Sequence, residues 1–183
     1  MVLGHHMSVL LAQFQHYGRQ WPEEYDTRHF AELLATRPHA FERASLDAHF
    51  TGSAWLVSAD GARVLLTHHH KLGRWLQLGG HADGDTDLAR VALREAEEES
   101  GLADLSVLPE PFDLDRHRIP ARGDEPEHWH YDVRYVVRAG ANEQFVLSEE
   151  SNALAWRSVR EIADDPASDV SLRRMARKWL LRG

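Results

Sequence analysis

The chain has 183 residues, 43% of them apolar and 27% charged, proportions that suit one globular domain with a single good core. Lys and Arg number 21 against 29 Asp and Glu, a balance of −8 that argues against direct nucleic-acid binding. Cysteine is absent, which excludes a disulfide framework, a thiolate metal site and a cysteine nucleophile. No apolar run approaches the roughly 20 residues of a membrane span, and no signal-peptide pattern opens the chain, so the expectation is a cytoplasmic protein without a membrane partner.

Met1–His6 are set aside as an appended remnant, with Met7 as the expected start. Residues 8–19 and 24–36 read as helices, because Leu10, Leu11 and Phe14, then Phe30, Leu33 and Leu34, recur at helical spacing. Pro22 separates the two and Pro38 ends the second. Together, residues 1–45 are expected to form an N-terminal helical extension to a domain over 46–183. Strands follow at 50–57 and 63–68 around the turn Ser58-Ala59-Asp60-Gly61. Residues 72–85 read as a glycine-rich loop, 86–100 as a helix stopped by Gly101, 104–118 and 128–138 as strands, and 153–157 as a short strand. A helix over about 169–181, capped by Asp169 or Ser171, closes the chain. This irregular mixture predicts an α/β (α+β) fold, a mixed sheet with helices on it.

The helix Thr86–Leu102, TDLARVALREAEEESGL, carries the chemistry. At about 100° per residue, Leu88, Val91 and Ala92 form the core stripe, and Glu95, Glu98 and Glu99 continue it one turn later. Carboxylates at this spacing repel one another, and they stand near the helix C-terminus, where the macrodipole disfavours negative charge. A bound divalent cation reverses both effects, and oxygen ligands suit Mg²⁺ or Mn²⁺. A solvated acidic face is the alternative. Just upstream, Gly79-Gly80 lets backbone approach a ligand closely.

Gly80 followed by Arg94-Glu95-Ala96-Glu97-Glu98-Glu99-Ser100-Gly101-Leu102 resembles the Nudix box, G-x5-E-x7-R-E-U-x-E-E-x-G-U with U a bulky apolar residue. Ala96 is small for its position. The first glutamate of the box falls on Thr86, with acids beside it at Asp85 and Asp87. The resemblance implies a Nudix-type α-β-α sandwich over 46–183 and metal-dependent hydrolysis of a nucleoside diphosphate linked to another moiety. Carried over by position, Gly80, Glu95, Glu98 and Glu99 are the expected metal ligands, Glu95 is a ligand or the base that activates water, and Arg94 orients a box carboxylate. Thr86 keeps open a second reading, a module that binds a nucleotide or sugar nucleotide without cleaving it. A further acid outside the box is expected at Glu149 or Glu150. The family implies a small-molecule diphosphate partner, and a homodimer stays open.

The C-terminal cations Arg173, Arg174, Arg177, Lys178 and Arg182 read as a solvated basic face. His68, His69 and His70, with Lys71 and Arg74, read as a phosphate contact or a solvated hairpin end. Of the 13 histidines, His128 and His130 share a strand face with Asp132, and antiparallel pairing brings them opposite Asp115 and His117. His81 follows Gly79-Gly80. His49 enters the first strand of the domain. A fainter resemblance, to the isopentenyl-diphosphate isomerases of the same fold, also associates histidines with a metal and leaves an isomerase-like enzyme as a third reading. A second, transition-metal site using at least three of His49, His81, His128 and His130, with Asp132 or Asp115 as hydrogen-bond acceptors behind them, is therefore an expectation. Unrelated packing histidines are the alternative.

Overall fold

The computed structural model describes residues 2–69, 72–147 and 151–182. Helix α1 (Val2–Gln20) leads through a 3-10 turn at Tyr25–Thr27 to α2 (Arg28–Thr36). Seven strands follow: β1 (Ala48–Val57), β2 (Arg63–His69), β3 (Trp75–Leu76), β4 (Leu78–His81), β5 (Ser106–Ile119), β6 (His128–Arg138) and β7 (Ser151–Ser158). Helix α3 (Leu88–Ser100) lies between β4 and β5, and α4 (Val159–Asp164) and α5 (Val170–Leu180) end the chain. The sheet runs β3-β2-β1-β6-β5, with β4 added to β1 and β7 to β2. β1 runs parallel to β6 and antiparallel to β2 and β4, so the sheet is mixed.

Strand alternation divides the sheet between two layers of helix. Phe50, Ala54 and Leu56 of β1 and Tyr131, Val133, Tyr135 and Val137 of β6 face one side and pack with α1, α2 and α3. Trp55 and Val57 of β1 and Val136 of β6 face the other and pack with α4 and α5. Phe14 and Phe30 meet Phe50 and Tyr131 with ring centroids 5.1 to 6.4 Å apart. Helices α1 and α2 therefore share the central core, each buried aromatic contributing about 1.5–3 kcal/mol of burial. Val2–His6 continue α1 as helix.

Several local expectations need correction. The 72–85 loop contains β3 and β4, because its backbone finds partners on β2 and β1. Helix α4 escaped the reading because six residues carry less than two turns of periodicity. In α3 the buried stripe runs Leu88, Val91, Ala92, Ala96, Ser100. Small residues, not glutamates, complete it, and Glu98 is exposed.

The basic face of α5 is only partly solvated. Lys178 is 4% exposed and donates to Asp113 at 2.7 Å and to Glu24 at 2.7 Å. It also bonds the Tyr17 hydroxyl. Arg174 donates to Asp113 at 2.6 Å and Asp115 at 2.9 Å. Both cations flank the stripe Leu172, Met175, Ala176 and so are carried down onto β5. Arg134 of β6 completes the network, bonding Asp113 at 3.1 Å, Asp115 at 3.2 Å and Asp132 at 2.7 Å. Burial opposes ionisation of Asp113, but the Arg174 hydrogen bonds and the Arg134, Arg174 and Lys178 charges outweigh it and hold the carboxyl below its ordinary 3.8. Asp115 is depressed in the same way.

Asp113→Asn should therefore destabilise the chain by about 3–5 kcal/mol, because it strands buried cations without their shared charge. The unfolded chain takes up protons near 3.8 and the folded Asp113 only below that. The network's contribution is thus complete above that value and lost as pH falls through the folded pKa. Urea unfolding from about pH 7 down to pH 3 should show the gap between wild type and Asp113→Asn closing at the acid end.

Candidate functional site

Helix α3 starts on Asp87, whose side chain accepts from Arg90 N, and stops on Gly101, which adopts φ 66° and closes the last turn onto Glu97 O. Between these caps it lies hard against β1. A Cβ at Gly52 would stand 2.9 Å from both Leu88 O and Val91 Cγ1, so only glycine admits this approach.

The approach brings the half-buried Glu95 and Glu99 onto β4. Gly79 N donates to Glu99 Oε1 at 2.7 Å. A Cβ at Gly80 would fall 2.4 Å from Glu95 Oε2, so the bare backbone at Gly80 is what lets the carboxylate sit there. Arg94 donates to Glu95 Oε1 at 3.0 Å and to His81 O at 3.2 Å, tying the helix to the strand. The hydrogen bond that Arg94 donates to Glu95 leads the causes that raise the Arg94 pKa; burial opposes it, and the charges of Glu95, Glu98 and Asp85 add to it. Half-buried carboxylates converging on a glycine backbone form an oxygen-donor cradle of the kind Mg²⁺ or Mn²⁺ takes. Glu98, exposed on the same turn, borders it.

Thr86 lines a separate hollow between α1 and the start of α3, with His6, Val9 and Gln13. Asp85, one residue earlier, holds Arg90 at 2.7 and 2.9 Å. Burial works against its ionisation, but the bonds from Arg90 and Asp87 N win and lower its pKa. The carboxylate beside Thr86 is thus spent on Arg90.

On the other face of β1 the histidines gather. β1 and β6 pair His49 with His130, β5 and β6 pair His117 with His130, and β4 places His81 opposite Thr51. Ring centroids lie 4.7 Å apart for His49–His130 and 5.2 Å for both His49–His81 and His81–His130. One ring nitrogen from each of these three lies within 4.8 Å of the others. His128 stacks on His49 at 5.0 Å, and its Nε2 is 3.1 Å from His130 Nε2. Burial, then the charge of Arg43, then that of His49, pushes His81 down to about 4; burial, then the neighbouring histidines, pushes His130 down to about 2. The acceptors behind these rings differ from expectation. His49 Nδ1 bonds Ser45 O and His128 Nδ1 bonds Pro126 O. Asp132 is instead committed to Thr51, Ser53, Gln77 and Arg134, and Asp115 to His117, Arg134 and Arg174.

Glu149, Glu150, His70 and Lys71 lie outside the described residues. His68 packs edge-on against Trp75 at 5.3 Å. Sequence reading missed Ser45 and Pro126, whose contributions are backbone carbonyls and so carry no residue signature. It also missed Gln77 and Arg134. Arg134 stands two residues beyond Asp132 on the same strand face, a period-2 signal that was available.

The family model for the NUDIX domain matches residues 49–178. This chain belongs to the Nudix hydrolase family. A Nudix-family hydrolase from Clostridium perfringens is 25% identical, with TM-score 0.58 over 74% of this chain and 98% of that one. The dihydroneopterin triphosphate pyrophosphohydrolase of E. coli, 15% identical, shares the fold with TM-score 0.60 over 73% of this chain and 96% of that one. So does an Ap4A hydrolase of C. elegans, 17% identical, with TM-score 0.57 over 73% and 96%. No curated protein matches the chain. Nudix hydrolases generally require a divalent ion such as Mg²⁺ or Mn²⁺.

Two glycine variants separate fold from site in this Nudix chain. Gly52→Ala should lower stability by about 1–3 kcal/mol, since its contacts include backbone. Gly80→Ala meets first the carboxylate end of Glu95 rather than backbone, so thermal unfolding should barely move while metal-dependent turnover falls about 10²-fold through displacement of the carboxylate. Melting curves and initial rates on both variants check the contrast.

Proposed function

We propose that this protein hydrolyses a nucleoside diphosphate linked to another moiety, by attack of water on a diphosphate phosphorus. The observation that carries the reading is the seating of Glu95 and Glu99 against the Gly79-Gly80 backbone. Glu95, Glu98, Glu99 and the Gly80 carbonyl would hold Mg²⁺ or Mn²⁺. The bound ion supplies neutralisation of the diphosphate charge and a lower pKa for water.

The chain's own groups do the rest. Arg94 fixes Glu95 by a hydrogen bond, so that it can hold the ion or, in place of that, take the proton from the attacking water. Gly79 N anchors Glu99. The phosphorus–oxygen bond of the bridge breaks, and the leaving phosphate departs as the second product.

A product-resolved panel of nucleoside diphosphate derivatives, with Mg²⁺ or Mn²⁺ and without either, tests the reading. At least one member should be cleaved only with metal. Glu98→Gln and Glu99→Gln should each lower that rate by at least about 10²-fold. Tight binding of a panel member with no product would favour the binding module, and unchanged rates in both variants would remove the ligand assignment.

A further inference from the structure

We propose that His49, His81 and His130 form a second metal site, for one late first-row divalent ion such as Zn²⁺, on the face of β1 opposite helix α3. It does not rest on the hydrolase reading, since it uses no box carboxylate.

The nitrogens of the three rings already lie within 4.8 Å of one another. A tetrahedral ion with bonds of about 2.1 Å needs them roughly 3.4 Å apart, a closure that small ring rotations supply. The orphaned atoms point the same way. His49 is 2% exposed, and the Nε2 atoms of His49 and His81 are buried with no hydrogen-bond partner. Packing histidines have their buried nitrogens paired; these two do not.

The tautomers favour a cation further. Ser45 O, 3.2 Å from His49 Nδ1, can only accept, so the proton stands on Nδ1 and the Nε2 lone pair enters the cluster. His128 is set likewise by Pro126 O at 2.9 Å, so its Nε2 accepts from His130 Nε2–H and leaves Nδ1 as the His130 nitrogen with a lone pair for an ion. The carbonyl behind His49 is the usual outer support of metal-bound imidazole. A set of neutral nitrogens selects Zn²⁺, Co²⁺, Ni²⁺ or Cu²⁺ over Mg²⁺, whereas the box offers oxygens. The short strand β4 contributes to both centres, with Gly80 facing Glu95 and His81 facing His49.

Chelator-stripped full-length protein, held in excess Mg²⁺ to fill the box, is titrated with Co²⁺ and followed by visible absorption. One Co²⁺ should bind with the intense spectrum of a low-coordinate ion, and Glu98→Gln/Glu99→Gln should retain it. His81→Asn and His130→Asn, checked for fold by circular dichroism, should each weaken binding by more than the 10–100-fold typical of losing an outer partner. X-ray absorption of the Zn²⁺-loaded wild type should show imidazole scattering at about 2.0–2.1 Å, and it decides the matter even where a variant fails to fold. Absence of Co²⁺ uptake above Mg²⁺, loss of uptake only in the glutamate variant, or an oxygen-only shell would overturn the proposal. The last would place the ion on the box carboxylates rather than between the rings.

Discussion

Helix α3 can lie where it does because position 52 has no side chain. The contact of Leu88 O and Val91 with Gly52 sets the height of the helix over β1. Everything one and two turns further along inherits that height. Ala96 and Ser100 are small enough to follow the sheet surface down, and this leaves Glu95 and Glu99 at its edge, where β4 offers Gly79 N and the open backbone of Gly80. A bulkier residue at 52 would lift the glutamates off β4. The seating of these glutamates is therefore a packing outcome before it is an electrostatic one.

The second constraint is strand alternation. β1 is buried along nearly its whole length, with Phe50, Gly52 and Ala54 toward α3 and His49, Thr51 and Ser53 on the reverse. That reverse face is polar, which a buried strand tolerates only if partners are supplied. Asp132 accepts from Thr51, Ser53, Gln77 and Arg134, and Arg134 in turn binds Asp113 and Asp115. Desolvating so many charges is costly, and complete pairing offsets the cost. Beside this network, the Nε2 atoms of His49 and His81 are buried without a partner, as are Trp55 Nε1, Gln77 Oε1 and Arg116 Nε among the described residues.

Much of this was legible in the residues, and the limits are physical. The box could be read because its spacing is local: Gly80, Arg94 and Glu95–Glu99 lie on one loop and one helix. The wheel placed all three glutamates with the core because it assumed a straight stripe, whereas burial follows Ala96 and Ser100. The pairing of His117 with His130 follows from an antiparallel pair visible in alternation. His49 meets His130 only through the parallel pairing of β1 with β6, a long-range register that no local pattern encodes. Lys178 and Arg174 looked solvated because a helical wheel shows which residues flank a stripe but not what waits opposite. Asp113, on a strand distant in sequence, supplies that answer.

The central claim is that the box glutamates and the Gly80 backbone form one cation cradle. A crystal grown with Mn²⁺ and a non-hydrolysable nucleoside diphosphate analogue, measured at the manganese edge, tests it most directly. An anomalous peak within coordination distance of Glu98 and Glu99, with Glu95 or the Gly80 carbonyl completing the contact and the diphosphate alongside, is the predicted result. A well-ordered analogue with its Mn²⁺ bound elsewhere and the α3 glutamates unliganded would contradict the account.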